Sequence, residues 1–172
     1  MREVLASLKP YYYYLVGEGI KEVEIRKSIP KSNDWDKKVF FYMSKDEKSF
    51  AKIPKEYQEK YRRHFGKVGL QFVCDRIDEY ANGEIALSHN TDETCLTNCE
   101  LADYIEGSKA YFWHISQLKI YDEPKELFDF VNYGKYQVCK ERNCFSDNCW
   151  ICPNNAIVVR PPQSWCYVEK GE

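Results

Sequence analysis

Surplus charge is missing from this chain. Lysine and arginine number 25 against 27 aspartates and glutamates, a formal net charge of -2, so no global basic field draws it onto nucleic acid, and any such binding must be local. Long apolar runs are missing too. The longest candidate, Tyr11 to Val16, falls far short of the roughly 20 residues that a membrane-crossing helix needs, and Met1-Arg2-Glu3 is not followed by the apolar core of a secretory signal. A cytoplasmic protein with no membrane partner is expected. What is present excludes disorder: hydrophobic residues make up 44% and aromatics 16% of 172 residues, with 14 tyrosines. That is enough for one domain with a proper core plus a small appendage.

Chemistry is concentrated in one stretch, Gly19-Ile-Lys21-Glu-Val-Glu24-Ile-Arg26, which follows the run Ser7-Leu-Lys9-Pro10. From Glu22 to Lys27 the residues alternate. Val23 and Ile25 face one way and Glu22, Glu24 and Arg26 the other, the period-two pattern of a half-buried strand. Glu24 and Arg26 therefore share a face, near enough for carboxylate and guanidinium to pair. Lys21 sits just past the glycine bend at Gly19, from which it can swing onto the same face. The plain alternative is a solvated strand face carrying a surface ion pair of little energetic weight.

Around this stretch, Glu3 to Leu8 reads as a first strand, and Pro10 opens a helix that Gly17 and Gly19 end. Its four consecutive tyrosines cover all sides of the helix, so most pack in the core while one, taken as Tyr12, reaches the mouth of a cleft, where a phenol stacks on a base or donates a hydrogen bond. Ser28 to Lys38 reads as a loop, Val39 to Ser44 as a buried strand, and Lys45 to Ile53 as a polar connection. Pro54 to Phe65 is a helix with an aromatic stripe of Tyr57, Tyr61 and Phe65. Lys67 to Tyr80, with Val68, Leu70, Phe72 and Cys74 at spacing two, is the clearest strand. Thr97-Asn-Cys-Glu100 fits a capping box that starts a helix through Ile105, closed by Gly107. Lys109 to Ser116 and Leu118 to Tyr121 read as neighbouring strands, and Pro124 to Val131 as a short amphipathic helix.

The pattern G-x-K-x-x-E-x-R resembles the signature of the ASCH domain, a small β-barrel related to the PUA modules of RNA-modifying enzymes. The order of elements, and Tyr111-Phe-Trp-His-Ile115 followed by Leu118-Lys-Ile-Tyr121-Asp-Glu-Pro124, resemble ASCH domains from end to end. The closing Arg160-Pro-Pro-Gln-Ser-Trp165-Cys-Tyr-Val168 is similar to the end of ASCH-like proteins encoded by phages and prophages. The resemblance implies an α+β fold: a small PUA-like β-barrel with short flanking helices over residues 1–131, a cysteine-rich insertion over 132–156, and a segment 157–172 returning to the barrel. It also implies a cleft for RNA or a nucleoside, lined by Lys21, Glu24 and Arg26, with Ser7 and Lys9 entering from the adjoining strand. The chemistry of these side chains suits such a ligand. Arg26 presents a planar fork to a phosphate or a base edge, Lys9 and Lys21 present point charges, and Glu24 accepts from an exocyclic amine. Trp113 and His114 alternate on their strand, and whichever points into the cleft stacks on a base, a contact worth roughly 1–3 kcal/mol. The other reading of Trp113 is core packing.

Three kinds of function then stand side by side. One is a regulatory module that binds RNA or a modified nucleotide. A second is a hydrolase acting on RNA or a modified nucleoside, with Lys21 and Glu24 as its catalytic groups or His114 as a base. ASCH-like amidohydrolases that deacetylate cytidine use a lysine base and a threonine nucleophile at the position of Glu24; here Lys21 is retained and the threonine is not, and Glu22 and Glu24 are expected to raise the lysine's pKa. A third is a protein-interaction module. The tail adds its own question, since five of eight cysteines lie in the last 34 residues. In a reducing compartment Cys139-x4-Cys144-x4-Cys149-x2-Cys152 suits a structural all-thiolate zinc site, against the reading of an insertion with reduced thiols. Cys95, Cys99 and Cys166 are alternative members of the set, and Cys74 is a core residue.

Overall fold

The computed structural model of the chain describes residues 3–30, 37–81, 91–107, 109–132 and 157–170. Strand β1 (Glu3–Leu8) leads into helix α1 (Pro10–Gly17), with Pro10 in the first helical turn and Lys9 extended before it. Gly19, at φ 69, turns the chain into β2 (Val23–Arg26). Next come β3 (Lys37–Met43), a single helical turn α2 (Glu47–Phe50), α3 (Lys55–Arg62) and the long strand β4 (Val68–Tyr80). The polar connection expected over Lys45 to Ile53 holds α2 because the Asp46 side chain accepts from the Ser49 amide and caps it. A short helix α4 (Thr91–Thr94) precedes α5 (Asn98–Ile105), whose Thr97/Glu100 capping box is formed as expected. Left-handed Glu106 and Gly107 close it.

The two strands expected from Lys109 to Tyr121 are one, β5 (Ala110–Lys125). Gln117 lies within it at φ 48, where the ladder with β4 shifts register; a bulge absorbs the break that the polar Ser116-Gln117 pair suggests in sequence. The helix expected from Pro124 is a 3-10 turn (Leu127–Asp129) running straight into β6 (Phe130–Asn132), and β7 (Trp165–Lys170) ends the described chain.

These strands form one mixed sheet in the order β2-β5-β4-β3-β1-β7-β6. Only β1 and β3 run parallel among the described pairs, and the connection between them passes through α1 and β2. Val4, Ala6, Phe41, Leu70, Phe72 and Trp113 meet Tyr13, Tyr14 and Tyr61 in the main core, while Val23, Ile25 and Phe112 on the other face meet Leu101 and Ile105 of α5. The α+β class is as expected, but the barrel is not closed: β2 and β6 are the two ends of the sheet. The sheet curls far enough for Arg26 of β2 to reach the carbonyl of Ser7 on β1, at 2.7 Å. A side chain, not a ladder, crosses that seam.

Candidate functional site

A cavity of about 650 Å³ occupies the open seam. The end of β1 contributes Ser7 and Lys9, α1 contributes Tyr12, and Lys21 with β2 contributes Glu24 and Arg26. Its far wall is Leu96 with Glu100 and Tyr104 of α5, and Pro161 to Gln163 form a further side. Six of the eight residues named from sequence as ligand-binding therefore line one space.

The charged face of β2 is not solvated. Lys21 is 3% exposed, and Glu24 and Arg26 are each 6% exposed, so their charges persist only because each is compensated. Arg26 Nη2 lies 3.0 Å from Glu24 Oε1 and donates to Ser7 O, while Nη1 donates to Ser164 O at 3.2 Å. Lys21 Nζ donates at 2.7 Å to both Val23 O and Thr94 O and lies 3.6 Å from Glu24 Oε2. Glu24 is thus held between two cations. Burial outweighs the pull of Glu24 and places the Lys21 pKa below the ordinary lysine value, the reverse of what the neighbouring carboxylates suggest in sequence; the winning effect is desolvation of the ammonium. Burial, then Glu100 and Glu24, push the Tyr12 phenol up. Its ring stands 5.8 Å from the Lys21 ammonium, within cation–π range. Ser7 Oγ donates to Pro162 O at 2.6 Å, tying the proline run to the cleft.

Trp113 and His114 lie elsewhere. Trp113 pairs opposite Glu24 in the ladder and shares its face, yet it is 1% exposed within the main core. His114 pairs with Val23 on the opposite face, where Nε2 lies 2.8 Å from Asp78 Oδ2 and Arg76 Nη2 stands at 2.9 Å. Neither lines the cavity. Strand parity separates the two, and aromatic bulk draws Trp113 into the core. Sequence reasoning missed Tyr104 and Glu100: α5 was legible as a helix, but which residues of it meet β2 depends on contacts remote in sequence.

The proposed zinc ligands Cys139, Cys144, Cys149 and Cys152 lie outside the described residues. Cys74 is buried, and burial pushes its thiol up to about 12. Cys95, Cys99 and Cys166 are free thiols, and the described residues hold no group of three or more side chains placed for a metal.

No family model matches the sequence, and no curated protein matches it either. Solved structures do. A Tyr-to-Phe variant of the ASCH protein of Zymomonas mobilis superposes with a TM-score of 0.58 at 19% identity, over 99% of this chain and 92% of that one. The unsubstituted Zymomonas mobilis ASCH gives 0.57 at 20%, over 98% and 88%. The chain has the ASCH fold. In this fold, the residues of the G-x-K-x-x-E-x-R pattern lie together beside the first strand and first helix, in an α+β frame whose sheet stays open at that point. No described helix is long and apolar enough to cross a membrane.

Proposed function

We propose that this ASCH protein is a regulatory module that binds RNA or a single modified nucleotide in the cleft between β1, β2, α1 and α5. One observation carries the reading: a cavity of nucleotide size, about 650 Å³, has ionised side chains fixed at its floor and phenol rings on its walls. Burying a compensated charge trio costs desolvation that a purely structural site would avoid with apolar residues. Pockets that bury ligands pair apolar walls with a few placed polar groups in the same way.

A hydrolytic reading fits less well. A lysine base must hold a free lone pair aimed at its substrate, whereas the Lys21 nitrogen donates to two carbonyls. The threonine nucleophile of the amidohydrolases is replaced by Glu24, held by Arg26. Binding without turnover is the expected behaviour.

Titration with single nucleosides and short single-stranded RNAs, with product release monitored in parallel, tests this. Binding should appear without product. Tyr104→Ala, at a residue that is 41% exposed, should weaken it by about tenfold, in line with loss of a stacked base, and Lys9→Ala should weaken RNA binding more at low salt than at high. Affinities indifferent to both substitutions would place the binding outside this cleft, and no binding of any nucleoside or RNA would move the function to protein interaction. The cysteine cluster Cys139, Cys144, Cys149 and Cys152 is proposed as a structural zinc site, and about one equivalent of zinc in metal analysis of purified protein is the expected outcome.

A further inference from the structure

The charged groups on the floor of the cleft are taken up with one another. Lys21 Nζ faces two carbonyls and Glu24, and the Arg26 Nη groups face Ser7 O, Ser164 O and the same carboxylate. A phosphate that entered would have to shed its hydration and then compete with Glu24 for both cations. Uncommitted positive charge lies at the mouth instead.

Exposed lysines from separate elements stand there, each placed by its own observation. Lys9, between β1 and α1, is itself a lining residue. Lys27, directly after β2, holds its Nζ 5.3 Å from the centre of the Tyr104 ring. Lys52, which follows α2, is close enough to Glu100 for its charge to add to the Thr97 amide and hydroxyl in holding that carboxyl below the ordinary glutamate value. Glu100 and Tyr104 both line the cavity, one helical turn apart on α5, or about 6 Å along its axis. Lys52 and Lys27 therefore mark the two ends of the far wall, and Lys9 stands with β1 and α1. None of these lysines is ion-paired among the described residues. The denser basic run on and after α3 differs, for Lys60, Arg62 and Lys67 pair with Glu18, Glu47 and Glu126. Glu100, the acid at the mouth, is turned to Thr97, whose amide and hydroxyl both donate to it at 2.9 Å.

Resting on the nucleotide-binding reading above, we propose that the ligand is a continuous single strand of RNA, one internal nucleotide of which enters the cleft while the phosphates on either side of it stay in water against Lys9, Lys27 and Lys52. A free nucleotide carries its phosphates on one side of its sugar, so it presents them to one part of this rim. A strand presents a phosphate at every junction and meets cations at both ends of the wall. A duplex meets them poorly, because the entering nucleotide must first leave its stack and its partner.

Fluorescence anisotropy with labelled RNA heptamers of A, C or U, from about 50 to about 300 mM NaCl, tests this, with the nucleoside 5′-monophosphates, the 5′-triphosphates and a duplex of the same length as competitors. For the tightest heptamer, log affinity against log salt should fall with a slope of about −2, roughly −0.7 for each of three phosphates. Lys9→Gln, Lys27→Gln and Lys52→Gln should each make that slope shallower by about 0.7 and weaken binding about fivefold at the lowest salt. Lys119→Gln, at an exposed lysine set over the Tyr121 ring and away from the cavity, should leave it unchanged. The duplex should bind at least about tenfold more weakly than the single strand, and so should the mono- and triphosphates. A mono- or triphosphate, or a duplex, that matches the heptamer overturns the inference, as does a wild-type slope in all three rim variants; nucleotide binding in the cleft would still stand if Tyr104→Ala weakened it. If no nucleoside and no RNA binds, both readings fall. All the substituted lysines are exposed, so the variants keep the fold.

Discussion

At the scale of single residues, the buried polar groups set the pH behaviour. His64 is fully buried, its Nδ1 3.0 Å from the Tyr13 hydroxyl and its Nε2 without a partner among the described residues. Burial, helped by Arg63 and Lys60, lowers its pKa from 6.5 to about 4. The unfolded chain therefore takes up the proton first. Stability is complete above about pH 6.5 and drains as the pH falls toward 4, by about 3 kcal/mol in all. Urea midpoints measured between pH 7 and pH 4 should fall accordingly, and His64→Leu should flatten that part of the curve even though it removes the Tyr13 partner. None of this was legible in sequence, where His64 sits in a basic run at the end of a helix pattern. Glu24 and Arg26 were legible because strand parity is local. The direction of the Lys21 pKa was not, because its sign depends on burial that only the folded chain creates.

At the scale of elements, the capping box of α5 links stability to the site. The Thr97 hydroxyl accepts from the Glu100 amide at 3.2 Å, and the Glu100 carboxylate accepts from the Thr97 amide at 2.9 Å. Thr97→Ala should cost about 1 kcal/mol, visible as a lower Tm by circular dichroism. Because Tyr104 and Glu100 of this helix line the cavity, nucleoside affinity should fall with it. An unchanged affinity would mean that the far wall does not take part. The helix was readable from its cap and its glycine stop, signals a few residues long. The continuity of β5 was not, since a polar pair in sequence looks the same whether the chain turns or bulges, and the ladder to β4 decides which.

At the scale of the whole molecule, the curled sheet leaves one seam for Arg26 to cross. A lysine at that place cannot reach Ser7 O, Ser164 O and Glu24 together, so Arg26→Lys should loosen the seam while β3 and β4, paired on both sides, stay closed. Hydrogen exchange should then quicken at β2 and β7 and remain slow at β3 and β4; uniform acceleration would point to a general loss of stability instead. The element order made a barrel the natural expectation. Whether its ends meet depends on accumulated twist and on what fills the gap, and no short stretch encodes either.

The outer edge of β2 has a consequence of its own. The Glu93 carbonyl accepts from the Glu22 amide at 3.0 Å and the Thr94 carbonyl accepts from Lys21, so one ammonium pins a lid of backbone over groups that would otherwise seek another chain. Lys21→Met should release that lid and let monomers add strand to strand, seen as particle mass that grows with concentration in light scattering. The side chain at the bottom of the ligand cleft would then also be what keeps these molecules from growing into fibres.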